Sequence, residues 1–137
     1  MPMFLGEYQP NITAGERLAL PKKLREQVRS NAVILTRGFE ECVLGYNPDD
    51  WREEALKQEE LSISDAKTRK LKRYLYSQAA EVSFDKQGRF IVPVPLKTYA
   101  RLGESVTVIG AGDHFEIWNS GLWKEHLAVL EKEVGTS

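Results

Sequence analysis

The sequence predicts an α+β fold built as a tandem pseudo-twofold repeat, and three observations carry that reading. The chain aligns with itself, without a gap, at the offset that separates Arg17 from Arg89. Arg17-Leu18-Ala19-Leu20-Pro21 falls on Arg89-Phe90-Ile91-Val92-Pro93, and the same register pairs Leu24 with Leu96, Arg29 with Arg101, Gly38 with Gly110, Asn47 with Asn119, Trp51 with Trp123 and Glu53 with Glu125. Within each copy, short β-rich runs are separated by turn residues, the pattern of paired strands rather than of a long helix. Between the copies, Leu71, Tyr74, Leu75 and Gln78 recur at helical spacing.

The elements follow in order. Each copy opens with a short extended stretch and a polar turn, then an apolar run, Leu18 to Leu20 or Phe90 to Val92, closed by Pro21 or Pro93. Proline removes a ladder donor but suits the first turn of a helix. A short helix is expected over 22–28 and 96–101, with Gly103 placed to stop the second. Two hairpins come next, 32–36 with 42–46 and 105–109 with 114–118; Glu40-Glu41 and Gly110-Ala111-Gly112 supply their turns. Asn47-Pro48-Asp49-Asp50 offers a cap, a first-turn proline and two acids at the positive end of a helix, and Asn119-Ser120 opens its counterpart. The connector helix is expected over 64–79, its second face carrying Lys67, Arg69, Lys70, Lys72 and Arg73. This gives a first repeat at 3–54, a connector at 55–78, a second repeat at 79–130 and a tail at 131–137. Units this small cannot each bury enough apolar surface, so the two copies are expected to share one core.

The chain has 137 residues, enough for one domain or two very small ones. Its 19 basic and 20 acidic residues leave a net charge of -1, so any nucleic-acid surface must be local rather than a property of the whole molecule. Cys42 is the lone cysteine; it excludes an intrachain disulfide framework and fits a reducing compartment. No run of 18 apolar residues occurs, and Met1 to Glu7 has neither the basic start nor the apolar stretch of a signal peptide. The expectation is a cytoplasmic protein that neither spans nor enters a membrane.

Phe84-Asp85-Lys86-Gln87-Gly88-Arg89-Phe90-Ile91-Val92-Pro93 resembles the D-x-x-x-R loop of the MraZ family, bacterial regulators of the AbrB/SpoVT-like superfamily. Phe115 to Asn119 with Trp123, Tyr46 to Trp51, and the basic connector leading into Ala79-Ala80-Glu81 are similar in order and spacing, so the resemblance covers about Met3 to about Leu130. It implies two swapped-hairpin β-barrel halves with flanking helices, assembled into a ring-like homo-oligomer that associates with the nucleoid. It further implies a regulator, in all expectation a repressor, of the division and cell-wall gene cluster, which binds repeated double-stranded DNA sites in its own upstream region. The family's DNA-contacting loop carries over onto Asp85, Lys86, Gly88 and Arg89 in copy two, and onto Thr13 and Arg17 in copy one, with Lys22 and Lys23 following closely enough to extend a phosphate-binding patch together with Arg25 and Arg29. Copy one departs from the pattern: Thr13 replaces the aspartate, Glu16 the glycine, and Gly15 stands one position early. Another loop shape and a weaker attraction for phosphate are expected there.

Each feature has a structural reading beside the functional one. An Asp85 to Arg89 ion pair could simply fix the turn, with Gly88 supplying backbone freedom. The basic face of the connector is ordinarily a solvated face. Trp51 and Trp123, early in matching helices, suit packing in a core or subunit interface better than base stacking. Catalysis is disfavoured: Asp113-His114 has no nucleophile elbow near it, Cys42 aligns with His114 rather than partnering it, and Gly110-Ala111-Gly112 is only a fragment of a dinucleotide fingerprint. One cysteine and two histidines without paired spacing predict no metal, and neither cofactor nor small-molecule substrate is expected. The alternative from another class is an oligomeric antitoxin-like protein-binding module.

Overall fold

Antiparallel pairing joins all the strands of the computed structural model, which describes residues 2–59 and 64–135. In chain order the elements are β1 (Glu7–Tyr8), β2 (Ile12–Thr13), β3 (Arg17–Ala19), α1 (Lys22–Arg25), β4 (Ala32–Arg37), β5 (Val43–Tyr46), α2 (Pro48–Glu59), α3 (Ala66–Tyr76), β6 (Ala80–Ser83), β7 (Arg89–Ile91), α4 (Val94–Tyr99), β8 (Val106–Gly110), β9 (Phe115–Asn119) and α5 (Ser120–Gly135). The α+β class and the repeat are as expected: shifted by the Arg17-to-Arg89 offset, β3 falls on β7, β4 on β8 and β5 on β9.

The expected hairpins form between β4 and β5 and between β8 and β9. The two helices after the prolines differ in detail. In copy one the helix is a single turn, Lys22–Arg25. In copy two it begins at Val94, because Pro93 and Pro95 both suit a first turn, and ends at Tyr99. Arg101, at φ 54, makes the left-handed turn that Gly103 was expected to make. The connector is α3, whose N-cap Asp65 accepts from the Lys67 backbone N–H at 3.0 Å and from the Thr68 hydroxyl at 3.3 Å. Residues 60–63 of the expected connector and 136–137 of the expected tail lie outside the described residues.

Two sheets result. One holds six strands in the order β1-β8-β9-β5-β4-β6; the other holds three, β2-β3-β7. Neither closes, which corrects the expected barrel. β1 and β6 are the unpaired edges of the larger sheet, and each is short because the chain turns out of it into the smaller one. The edges also cross between copies: β1 of copy one lies on β8, and β6 of copy two lies on β4. At the centre, Val43 faces Ile117, Leu44 faces Glu116 and Gly45 faces Phe115, so the pseudo-twofold axis passes through the middle pair.

One core fills the space between the sheets and draws equally on both copies: Leu18 with Phe90, Leu20 with Val92, Leu24 with Leu96, and Val33 and Leu35 with Val106 and Val108 are all buried. A smaller cluster of Cys42, Trp118 and Trp123 packs under α5.

Candidate nucleic-acid interface

The spacing of the copy-two loop has a direct physical cause. An aspartate side chain can reach backbone N–H groups two and four residues ahead, and Asp85 does both, accepting from Gln87 N at 2.8 Å and Arg89 N at 2.9 Å. Its other oxygen accepts from Arg89 Nε at 2.9 Å. Backbone bonds from Asp85 N to Arg89 O (2.7 Å) and Gly88 N to Asp85 O (3.0 Å) close the turn, and Gly88 takes φ 75. The Arg89 backbone N–H, followed by its side chain and Gln87 N–H, holds the Asp85 carboxyl below its ordinary pKa. The ion pair of the structural reading is therefore present. It engages Nε and leaves the two terminal NH₂ groups of Arg89 outside it.

The copy-one loop takes another shape, as expected: Gly15 is left-handed at φ 80, where its counterpart Gln87 is not. Glu16, at φ 62, adopts the left-handed conformation of its counterpart Gly88 despite a strain of about 1–2 kcal/mol. Thr13 Oγ1 donates to Arg17 O at 3.2 Å, and Arg17 Nη1 donates to Ala14 O at 3.4 Å. The two loops hold each other: Val92 N donates to Glu16 O (2.9 Å) and Leu20 N to Gly88 O (3.3 Å). Nor is Glu16 a free acid, since Lys97 Nζ stands 2.5 Å from its Oε2.

β3 and β7 pair with Arg17 opposite Ile91, Leu18 opposite Phe90 and Ala19 opposite Arg89. Strand alternation sends Leu18 and Phe90 inward and puts Arg17, Ala19, Arg89 and Ile91 on the outer face. Arg17 and Arg89, far apart in sequence, thus become diagonal neighbours, about 7–8 Å apart by strand geometry. The structure brings these two predicted residues together on one face, with Lys86 exposed at the edge of the copy-two loop.

The basic patch after the first loop divides. Lys22 and Lys23 are exposed on α1, but Lys23 lines a hollow with Met3, Tyr8 and Glu26 beside the N-terminal segment. Arg29 is held by Asp50 at 2.7 Å and is engaged within copy one. Arg25 instead lines a polar hollow of about 310 Å³ with Asn31, Asp85, Lys86 and Gln87. A β-carbon on Gly88 would overlap the Arg25 guanidinium, so the glycine lets that side chain lie directly over the loop. Sequence reasoning placed Arg25 in the patch without seeing this role, and it missed Lys97. The signal was available: the repeat offset puts Arg25 on Lys97, where both copies carry a cation, whereas Lys22 falls on Val94 and Lys23 on Pro95.

The remaining chemistry-bearing residues are structural. His114 is clamped between Asp113 (2.6 Å) and Glu116 (2.9 Å) and stacks on Tyr46. Burial opposes its protonation, but the bonds from Glu116 and Asp113 outweigh burial and raise its pKa. The Cys42 thiol is buried, and burial, with the nearby Glu116 and Glu40 charges, pushes its pKa up, away from a reactive thiolate. Trp123 is a core residue whose Nε1 donates to Glu7 at 2.8 Å. Trp51 is half-buried between Tyr46 and Tyr76. Among the described residues no group of three or more His, Cys, Asp or Glu could hold a metal ion, and no helix is long and apolar enough to cross a membrane.

With this geometry established, comparison places the chain among known proteins. The family model described as "MraZ protein, putative antitoxin-like" matches twice, over residues 3–74 and 75–135. A relative named Transcriptional regulator MraZ from Roseiflexus castenholzii (strain DSM 13941 / HLO8) is 40% identical over 129 residues, covering 94% of this chain and 90% of the relative. Its namesake from Bifidobacterium longum (strain NCC 2705) is 40% identical over 136 residues, covering 99% and 89%. That from Lactobacillus helveticus (strain DPC 4571) is 40% identical over 121 residues, covering 88% and 84%.

Proposed function

The chain belongs to the MraZ family, and from that premise we propose that it regulates transcription by sequence-specific binding of double-stranded DNA through the outer face of the β2-β3-β7 sheet. The observation that carries the proposal is the convergence of the two loops, which sets Arg17 and Arg89 side by side on an exposed strand face. Arginine's planar fork suits both phosphate oxygens and the guanine edge. Asp85 orients Arg89 and stiffens its loop, so less side-chain freedom is lost on contact. Thr13, Lys22, Lys23, Lys86 and Gly88 complete the proposed face. The regulator acts by occupancy, as a repressor of the division and cell-wall cluster that binds repeated sites upstream of its own gene, and carries out no catalysis.

The exchange of β1 and β6 between the two hairpins supports a swapped-hairpin relation between repeats at 3–54 and 79–130 joined by the connector at 55–78. A near-neutral chain gains DNA affinity by presenting its local basic face many times, which favours a ring-like homo-oligomer. Uncovered apolar surface is available to form it: Phe39 is 62% exposed beside a hollow lined by Tyr46, Trp51 and Leu71. Work at the nucleoid in the cytoplasm follows from this role.

Electrophoretic mobility shift with the protein's own upstream duplex and an unrelated duplex tests the proposal. The upstream duplex is expected to shift at lower protein concentration, and Arg89→Ala to cost about 1–3 kcal/mol where a base contact is lost. Failure to shift either duplex overturns it in favour of the antitoxin-like protein-binding module, equal affinity for the two duplexes overturns its sequence specificity, and wild-type binding by an Arg17→Ala/Arg89→Ala double variant overturns this face as the DNA interface.

A further inference from the structure

The two loops share a left-handed residue just before their arginine, Glu16 and Gly88, yet each meets a different cation from the opposite copy. Arg25 of α1 lies over Gly88 of the copy-two loop; at the equivalent position Lys97 of α4 lies on Glu16 of the copy-one loop. The repeat relates Arg25 to Lys97 and Gly88 to Glu16, so these are one site built twice. In one version the partner is a glycine, and Arg25 has no carboxylate partner among the described residues. In the other the cation is paired at 2.5 Å with an acid.

We propose that Arg25 is a phosphate-contacting residue of the DNA face, completing the copy-two half-site from copy one, and that the Glu16–Lys97 ion pair silences the equivalent copy-one half-site. The inference rests on the DNA-binding reading above and deepens it. Arg25 lines a hollow that includes the loop residues Asp85, Lys86, Gln87 and Gly88. Arg25 lies over Gly88, the residue that precedes Arg89, so a nucleic-acid backbone crossing this loop would meet both guanidinium groups. At the copy-one site the same phosphate would meet a cation already neutralised and a carboxylate beside it.

The phosphate role predicts an effect independent of DNA sequence. Fluorescence anisotropy of the labelled upstream duplex and a scrambled duplex, titrated across a salt series, reads it. Arg25→Ala is expected to weaken both duplexes by a similar factor and to reduce the log-log salt slope by about 0.9 per engaged subunit, whereas Arg25→Lys keeps the slope. Glu16→Gln, which releases Lys97, is expected to tighten both duplexes and steepen the slope by about the same amount. Melting and mass distribution are checked for every variant, with Arg25→Gln used if Arg25→Ala melts early. Wild-type affinity and slope in Arg25→Ala, alongside lost binding in Arg89→Ala, overturns the role of Arg25 while leaving the DNA-binding reading intact. An unchanged slope in Glu16→Gln overturns the silencing. Failure of the wild-type protein to bind either duplex overturns both readings together.

Discussion

The joint between the two copies can be tested at Gly45. On β5 it faces the fully buried Phe115 of β9, and a β-carbon there would lie 2.6 Å from ring atom Cε2 and closer still to Cζ and Cε1. Ordinary carbon contacts are about 3.5–4.0 Å, so the ring would have to retreat by more than about 1 Å. It is blocked from doing so by Phe4, whose ring meets it edge-on at 5.5 Å. Forcing an extra carbon into such a core costs about 1–3 kcal/mol, partly offset by about 0.4–1 kcal/mol because alanine is less free than glycine when unfolded. An overlap this deep lies toward the upper end of that cost, a net of about 1–2.6 kcal/mol, so Gly45→Ala is expected to lower Tm by about 4–10 °C at about 4 °C per kcal/mol for a chain of this length. The pseudo-twofold axis supplies the control. Position 115 corresponds to Val43 and position 45 to Ile117, so the large-small pair Phe115 and Gly45 stands where symmetry places the medium pair Val43 and Ile117. Phe115→Val alone should cost about 2–3 kcal/mol through its cavity, and the double variant should cost less than the sum by at least about 1 kcal/mol. Additive costs in thermal or denaturant unfolding, or a Gly45→Ala protein that melts like wild type, would refute the claim that ring and glycine are fitted to each other.

Much of this fold is legible in one dimension because the duplication writes each element twice. Pro21 and Pro93, Asn47 and Asn119, and Trp51 and Trp123 mark the same element boundaries in both copies, and the corresponding elements fold as expected. What local sequence does not carry is pairing between copies. β1 and β6 are too short to show periodicity, and they are strands because each meets an open hairpin edge from the other copy. The expected barrel fails for the same reason, since closure depends on which edges meet and no residue pattern encodes that. Helix ends differ from the local pattern where tertiary context decides: Arg101 takes a left-handed conformation, and Asn119 Nδ2 donates to its carbonyl at 2.8 Å.

The candidate site was legible where its chemistry is local. The Asp85-to-Arg89 spacing is a statement about reach along four residues, and the ion pair follows from it. The copy-one loop differs in shape at Gly15, as its displaced glycine implies, but residue type alone does not predict the conformation at position 16. Glycine at position 88 and glutamate at position 16 take nearly the same φ, 75 and 62, since reciprocal backbone bonds to Leu20 and Val92 over-determine both turns. Charge is likewise not legible from residue type alone. Glu16 is an acid in sequence but half of an ion pair in space, and its partner comes from the other copy.

Two further expectations follow. Asp85→Asn removes the carboxylate that binds Gln87 N, Arg89 N and Arg89 Nε, and should weaken DNA binding while leaving oligomer size unchanged; binding at wild-type strength would show that the turn holds without it. The clamp on His114 should make folding stability depend on pH in a defined direction. Bonds to Glu116 and Asp113 raise the folded-state pKa of His114 above its ordinary 6.5, so the stability gained from the charged imidazole is complete below about 6.5 and is lost as pH rises through the raised value. Glu116 behaves oppositely. Burial opposes its ionisation, but His114 and Trp118 N–H bonds lower its pKa from 4.5, so its share is present above about 4.5 and is lost as pH falls through the lowered value. Together they place the pair's greatest contribution between about pH 4.5 and 6.5, on the acid side of neutrality. Urea unfolding across pH 4 to 9 should show the wild type losing stability above this window relative to His114→Gln, which cannot titrate there. Parallel pH curves for the two proteins would show that the clamp contributes nothing through charge, leaving His114 as a neutral spacer stacked on Tyr46.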